Sequence, residues 1–298
     1  MSFSAQVKTE LSHVPLTRPC CIRAELYGVL LYATVFTHRE IRFATENEAI
    51  ARRIRTMLFR AFSVDTQPQR IGRKFQFCLT EEAALRRIFD RLGYDYKSHV
   101  TYHLNRNVLE NDCCAVAFLR GVFLPAGTVA GPDKKSHLEI KTAHQSLSGE
   151  VMSLMLDLQL SPKLTVRQNS HVLYFKDSTR VEDFLTLIGA PRAALELMEA
   201  KVEKNIRNTI NRQVNCETAN LVKATDASAR QIAAIQAALA RRGDTFFPDK
   251  LRETVQLRLA YPTDSLAELA ARFDPPISKP GLSHRLRKIT ELAQKEAQ

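Results

Sequence analysis

The side chains best suited to chemistry in this 298-residue sequence are six cysteines and a run of basic residues near the C-terminus. Four cysteines stand as adjacent pairs, Cys20-Cys21 and Cys113-Cys114, while Cys78 and Cys216 stand alone and no C-x-x-C occurs. Neighbouring cysteines are awkward joint ligands for one tetrahedral zinc ion, and only His99 and His103 share an H-x-x-x-H spacing. The expectation is of cysteines acting as buried small hydrophobes, with no metal and no cofactor. Nothing beyond the presence of both residue types supports a Cys-His nucleophile.

The basic run has a clearer pattern. Ser265 and Glu268 have capping-box spacing for a short helix, and Asp274-Pro275-Pro276 stops it. Ser278 then caps a last helix whose Leu282, Leu286, Ile289 and Leu292 recur at three- and four-residue spacing. Its other face carries Lys279, Ser283, His284, Arg285, Arg287 and Lys288. A short helix, a tight turn and a second, basic helix form the helix-turn-helix arrangement, whose second helix enters the DNA major groove. The candidate DNA contacts are Ser278, Lys279, Ser283, His284, Arg285, Arg287 and Lys288. The cations are expected on phosphates or base edges, with Ser283 and His284 nearest the bases; a merely solvated basic face is the competing reading. Pro280 places the start of that helix in question without excluding the helix.

A second candidate contact is the amide-rich string from Asn211 to Asn220, in particular Asn211, Arg212, Gln213, Asn215 and Asn220. It has no regular apolar period, so its polar groups either cap the next helix or meet phosphates and base edges. Local capping is the favoured reading of composition alone.

These elements need scaffolding, and the chain has length for roughly two domains. The 43 Lys plus Arg against 32 Asp plus Glu give a net charge of +11, which fits an acidic partner, here double-stranded DNA. The longest apolar stretch, Leu26 to Phe36, falls well short of the ~20 residues of a membrane span. The N-terminus lacks the apolar run of a secretory leader, so the expected location is the cytoplasm, in association with the nucleoid.

An internal repeat organises the first two thirds. Leu26-Tyr27-Gly28-Val29 returns as Leu119-Arg120-Gly121-Val122, at about the same 93-residue offset that separates the cysteine pairs. Each copy continues with a strand (Glu40 to Phe43; Leu138 to Lys141), a helix (Ala49 to Phe62; Ser148 to Leu158), another strand (Phe75 to Leu79; Val172 to Phe175) and a closing helix (Glu81 to Leu92; Val181 to Ile188). Gly93 and Gly189 end the copies as helix C-caps do. The expected unit is α+β, with one sheet covered on one face. The other face carries Arg42, Lys74, Gln76, Lys141 and Arg167, as a solvated surface or one that meets nucleic acid. The Gly28 and Gly121 helices are expected to form the seam between the halves.

A duplicated helix of the form L-x-G-[apolar]-[apolar]-x-x-x-G, followed each time by strands, resembles the LAGLIDADG homing-endonuclease fold. That resemblance implies an acid at the foot of each motif helix to hold a divalent cation, yet Ala33 and Ala126 fall at those positions. A carboxylate cannot be omitted from metal-assisted hydrolysis, so no catalytic residue is expected. Four strings in order, S-F-S-A-Q-V-K-T-E-L at 2 to 11, F-L-R-G-V-F-L-P-A-G-T-V at 118 to 129, N-R-Q-V-N-C-E-T-A-N at 211 to 220 and P-P-I-S-K-P-G-L-S-H-R-L-R-K-I at 275 to 289, resemble the WhiA family of bacterial sporulation regulators and cell-division proteins. That resemblance implies a degenerate LAGLIDADG-like domain joined to an all-α helix-turn-helix domain similar to sigma factor region 4. It implies a non-catalytic DNA-binding regulator connected with transcription, cell division and chromosome segregation. The expected organisation is an N-terminal segment at 1–19 and a duplicated domain at 20–191, with half-repeats at about 20–100 and 113–190. A connecting helix and linker at 192–224 and a helix-turn-helix domain at 225–298, with its motif at 264–297, follow. An active endonuclease, and a scaffold that binds a transcription or cell-division protein, are the alternatives.

Overall fold

In the computed structural model, which describes residues 2–96 and 102–295, the chain divides into two compact units, residues 1–204 and 205–298. The first unit opens with α1 (Phe3–Ser12), started by the Ser2 hydroxyl, which accepts from the Ala5 N–H. Val7 and Leu11 of this helix are fully buried in the core.

Two copies of one topology follow. The first contains α2 (Pro19–Leu31), β1 (Val35–Phe36), β2 (Ile41–Thr45), α3 (Glu48–Phe62), β3 (Gln69–Ile71), β4 (Lys74–Leu79) and α4 (Glu82–Arg91). The second contains α5 (Asp112–Ala126), β5 (Gly127–Val129), β6 (Leu138–Thr142), α6 (Gln145–Asp157), β7 (Lys163–Arg167), β8 (Ser170–Phe175) and α7 (Ser178–Ile188). The antiparallel sheets have matching orders, β1-β2-β4-β3 and β5-β6-β8-β7. The duplicated α+β architecture expected from the repeat is therefore present, with four strands per half where periodicity marked two. The additional strands are short or exposed, and β3 buries none of its residues, so they carry little apolar signal. Gly93 (φ +70°) and Gly189 (φ +100°) follow the closing helices in the left-handed conformation that glycine adopts without a Cβ penalty.

Alternation gives each sheet one core face. Ile41, Phe43, Phe77 and Leu79 point inward in the first sheet, as do Leu138, Ile140, Leu173 and Phe175 in the second. Phe43 and Phe77, register partners on β2 and β4, stack with ring centroids 4.6 Å apart.

The halves meet along α2 and α5. A Cβ on Gly28 would lie 2.4 Å from the Phe118 carbonyl oxygen, and one on Gly121 would lie 1.9 Å from that of Glu25. The backbones are thus closer than any larger residue permits. Beside this crossing the Glu25 carboxylate, 1% exposed, accepts from Arg53 of α3 at 2.6 and 2.8 Å and from Arg120 of α5 at 3.0 Å. Arg53 also donates to the carbonyls of Ser12 and Val14, and Arg120 donates to that of Ile188 at 2.6 Å. One buried acid therefore links α2, α3 and α5 to the chain leaving α1 and α7. Both its cations are shared with backbone acceptors, which offsets the cost of desolvating three charges.

α8 (Pro191–Arg242) is a single helix, and α9 (Asp249–Ala260), α10 (Leu266–Ala271) and α11 (Lys279–Lys295) complete the second unit. The C-terminal part of α8 supplies Ile235 and Ala238 to a core with Phe247, Leu251, Val255, Leu269, Phe273, Leu282, Leu286 and Ile289. The helix stretches expected at 192–210 and 227–241 are joined without a break. Asn211 to Asn220 accordingly lie mid-helix and cap nothing, which corrects the capping expectation. An exposed helix has no buried stripe to announce it, and here a side-chain pair, Gln213 to Glu217 at 3.0 Å, replaces packing as local support.

Gly121→Ala is expected to destabilise the first unit by about 3 kcal/mol, because its methyl group would meet backbone that no rotamer change can move. Gly149→Ala on α6, where an added Cβ meets nothing within 4 Å, is expected to raise stability by roughly 0.5–1 kcal/mol. Urea unfolding of the two variants beside the parent checks both signs.

Candidate nucleic-acid interface

The approach to α11 is closely specified. The Ser265 hydroxyl accepts from the Glu268 N–H at 3.3 Å while the Glu268 carboxylate accepts from the Ser265 N–H at 2.8 Å, a reciprocal cap on α10. Leu269, Ala270 and Phe273 anchor α10 in the core, and the Ile277 N–H donates back to the Ala270 carbonyl at 3.1 Å. Arg272 links the turn to α9, with its guanidinium 3.6 Å from the Tyr261 ring centroid and its Nε 2.6 Å from Asp264. The Ser278 hydroxyl accepts from the Gly281 N–H at 3.2 Å, and Pro280 occupies the second position of α11, where a missing N–H costs no hydrogen bond.

At 3.6 residues per turn, Leu282, Leu286, Ile289 and Ala293 form one buried stripe. Ser283, His284, Arg287 and Lys288 project from the opposite side and are exposed, as are Ser278 and Lys279 at the helix start. Arg287 has Glu291 3.6 Å away along the helix, a loose surface pair. Arg285 sits on the flank, half-buried, with its guanidinium 5.4 Å from the Phe273 ring centroid. Together with His284 and Lys288 it borders a shallow groove whose other wall, the start of α9, includes Asp249, Lys250 and Glu253. The α11 side chains named from sequence are therefore brought together on one outward surface except for Arg285, and His284 and Lys288 also border, with Arg285, the flank groove where acids stand opposite. On α8, Asn211, Arg212, Gln213, Asn215 and Asn220 are all exposed. The same helix exposes Ile206, Ile210, Val214, Leu221 and Val222.

The open sheet faces lie in the first unit. Lys74, Lys141 and Arg167 are exposed there, and Arg42 and Gln76 are half-buried. Glu139, which the sequence reading did not single out, gathers three partners: the His137 ring at 2.6 Å, Arg167 at 2.7 Å and Lys141 at 3.1 Å. Burial pushes the Glu139 carboxyl up, but the hydrogen bonds from His137 and Lys141 outweigh it and leave the group below the usual carboxylate range.

Ala33 lies just beyond the end of α2 and Ala126 is the last residue of α5; both are partly buried against the core. At the opposite ends of the same helices the four paired cysteines converge, with all their sulfurs within 4.8 Å of one another. Spacing along the chain hid this, because the pairs meet only across the seam. His99, half of the spacing noted among the histidines, lies outside the described residues.

A duplicated sheet-and-helix domain followed by a helix-turn-helix defines a class in which a LAGLIDADG-like scaffold carries a DNA-binding type of motif. Family models for the WhiA LAGLIDADG-like domain and the WhiA C-terminal helix-turn-helix domain match residues 115–207 and 210–293. The probable cell division protein WhiA of Alkaliphilus metalliredigens is 35% identical over 99% of this chain and 98% of its own. That of Desulforamulus reducens is 37% identical over 99% and 96%. The crystal structure of full-length DUF199/WhiA from Thermotoga maritima aligns with a TM-score of 0.60 at 23% identity, covering 99% of both chains, a likeness of fold. The chain belongs to the WhiA family.

The lowered Glu139 pKa has a defined sign. Its contribution to stability is complete above the unfolded carboxylate range and is lost as pH falls through its lower folded value. Glu139→Gln is therefore expected to destabilise at neutral pH and to flatten the acid limb of the stability profile. Urea midpoints measured from pH 3 to pH 7 (about the carboxylate range and above) check this; parallel profiles for variant and parent would contradict it.

Proposed function

We propose that this protein is a non-catalytic, sequence-directed DNA-binding regulator in which α11 reads double-stranded DNA. The observation that carries the reading is the outward face of α11, where Ser283, His284, Arg287 and Lys288 stand exposed behind a capped helix start. Lys279, Arg287 and Lys288 supply phosphate contacts, and Ser283 and His284 face the base edges. Arg285, steadied against Phe273, reaches the phosphate backbone from the flank, and the neutral cap of Ser278 offers the helix N-terminus to a phosphate. Arg212 and Gln213, with Asn211, Asn215 and Asn220, form a secondary contact along α8. The relatives' name, probable cell division protein, supports a role in cell division. Control of transcription, chromosome segregation and sporulation is the finer reading, with the nucleoid as its location and a transcription or division protein as a further partner.

The first unit is read as a scaffold without nuclease activity, because alanines occupy the two positions, Ala33 and Ala126, at which the family resemblance requires cation-holding acids. Incubation of supercoiled plasmid with Mg²⁺ and the purified protein is expected to leave the plasmid intact; nicking that tracks the protein through purification would overturn this reading.

Arg287→Ala with Lys288→Ala is expected to weaken binding to all duplexes alike and to flatten the log K against log salt slope by about 2, near 0.9 per phosphate contact. Ser283→Ala or His284→Ala is expected to cost roughly 1–3 kcal/mol on the cognate duplex and less on scrambled sequence. Competition binding on duplexes recovered by chromosomal crosslinking measures both, and unchanged affinity in every variant would remove α11 from the interface.

A further inference from the structure

We propose that Cys20, Cys21, Cys113 and Cys114 form a tetrahedral tetrathiolate site for one soft divalent cation of the zinc class, clasping the two halves of the first unit together. The four sulfurs lie within 4.8 Å of one another. Tetrahedral zinc with Zn–S bonds of about 2.3 Å sets its sulfurs about 3.8 Å apart, so the four need to close by at most roughly an ångström. The spacing suits a single ion; a multi-metal cluster would set its thiolates further apart, because the metals stand between them. Cys114 is buried and the other three are partly exposed, which leaves an entry path from solvent.

Burial pushes the Cys21 and Cys114 thiols up, so a bound dication must drive their deprotonation, and two helix N-termini and a guanidinium stand beside the sulfurs to help it. Cys20 and Cys21 occupy the first turn of α2, and Cys113 and Cys114 that of α5. Neither helix has a side-chain cap, since Arg18 and Asn111 at the N-cap positions make no capping hydrogen bond. The two helices run parallel, because the cysteine pairs meet at one end and Gly28 and Gly121 meet further along. Two positive helix ends side by side favour negative charge near them, and Asp112 already supplies one carboxylate in the first turn of α5. Four thiolates on a dication leave a net charge of two minus at that point. Arg18 adds its guanidinium, with Nη1 3.5 Å from the Cys113 sulfur. In the binding step the thiols release their protons to solvent and each sulfur donates one electron pair to the ion, with no change of oxidation state.

Full-length protein, reduced and stripped of metal, would be titrated with Co²⁺ as a spectroscopic probe. The expected result is one equivalent bound with intense thiolate-to-cobalt charge transfer and the visible bands of tetrahedral geometry, displaced stoichiometrically by Zn²⁺. Alkylation of the Zn²⁺-loaded protein should modify only the exposed Cys78 and Cys216, and a chelator should expose the other four. Cys113→Ser should weaken cobalt binding and diminish the charge-transfer band by the share of one thiolate, and Cys216→Ser should leave both unchanged. Should Cys113→Ser fail to fold, Arg18→Ala keeps all four ligands and is expected to weaken binding about 10- to 100-fold through the lost outer contact. An octahedral cobalt spectrum, alkylation indifferent to Zn²⁺, a disulfide between the pairs in the freshly isolated protein, or unaltered cobalt binding in Cys113→Ser would each overturn the proposal.

Discussion

The first unit depends on how closely α2 and α5 approach. Gly28 and Gly121 let the two backbones touch at the crossing, and Tyr27 against Phe118 and Glu25 against Arg120 extend the contact with side chains. Nearly all of each helix is thereby buried, which is why both are apolar around most of their circumference instead of along one stripe. The Glu25 carboxylate closes the structure around that contact. A buried acid with two guanidinium partners and backbone carbonyls beyond them specifies which helix lies where, since any other arrangement leaves a charge unpaired in the core.

The same parallel seam gives its two ends opposite characters. At the N-terminal end four sulfurs converge, with Arg18 against that of Cys113. At the C-terminal end stand Ala33 and Ala126. The helix pair is the structural axis of the unit. The duplicated sheets, each with a core face of aromatic and branched residues and a half-solvated face of Lys and Arg, are carried on that axis.

The second unit solves a different problem, the presentation of a short helix. The reciprocal cap at Ser265 and Glu268, the Ile277 to Ala270 hydrogen bond and the stacking of Arg272 on Tyr261 hold α10 and the turn in one geometry. The buried stripe of α11 then fixes its rotation, so that the outward side chains are determined by which residues are apolar. Arg285 shows the limit of that logic. It belongs to the basic run in sequence, yet its position beside the buried stripe turns it to the flank and against Phe273.

Much of this was legible along the chain. The repeat was, because duplicated units keep their apolar pattern; so were the core strands β2, β4, β6 and β8, the helix-turn-helix and its capping box, because period and capping chemistry are local. The edge strands, the continuity of α8 through its amide-rich middle and the placement of Glu25 were not. Edge strands and an exposed helix bury too little to leave a periodic trace, and an ion triad assembled from α2, α3 and α5 has no spacing to read. The cysteines show the division most plainly. Sequence alone determined that they occur as two adjacent pairs in equivalent positions of a repeat, and from adjacency it argued against a shared ligand. Only the tertiary structure decided that the pairs face each other, because two helices that cross at glycine and run in the same direction must bring their first turns together.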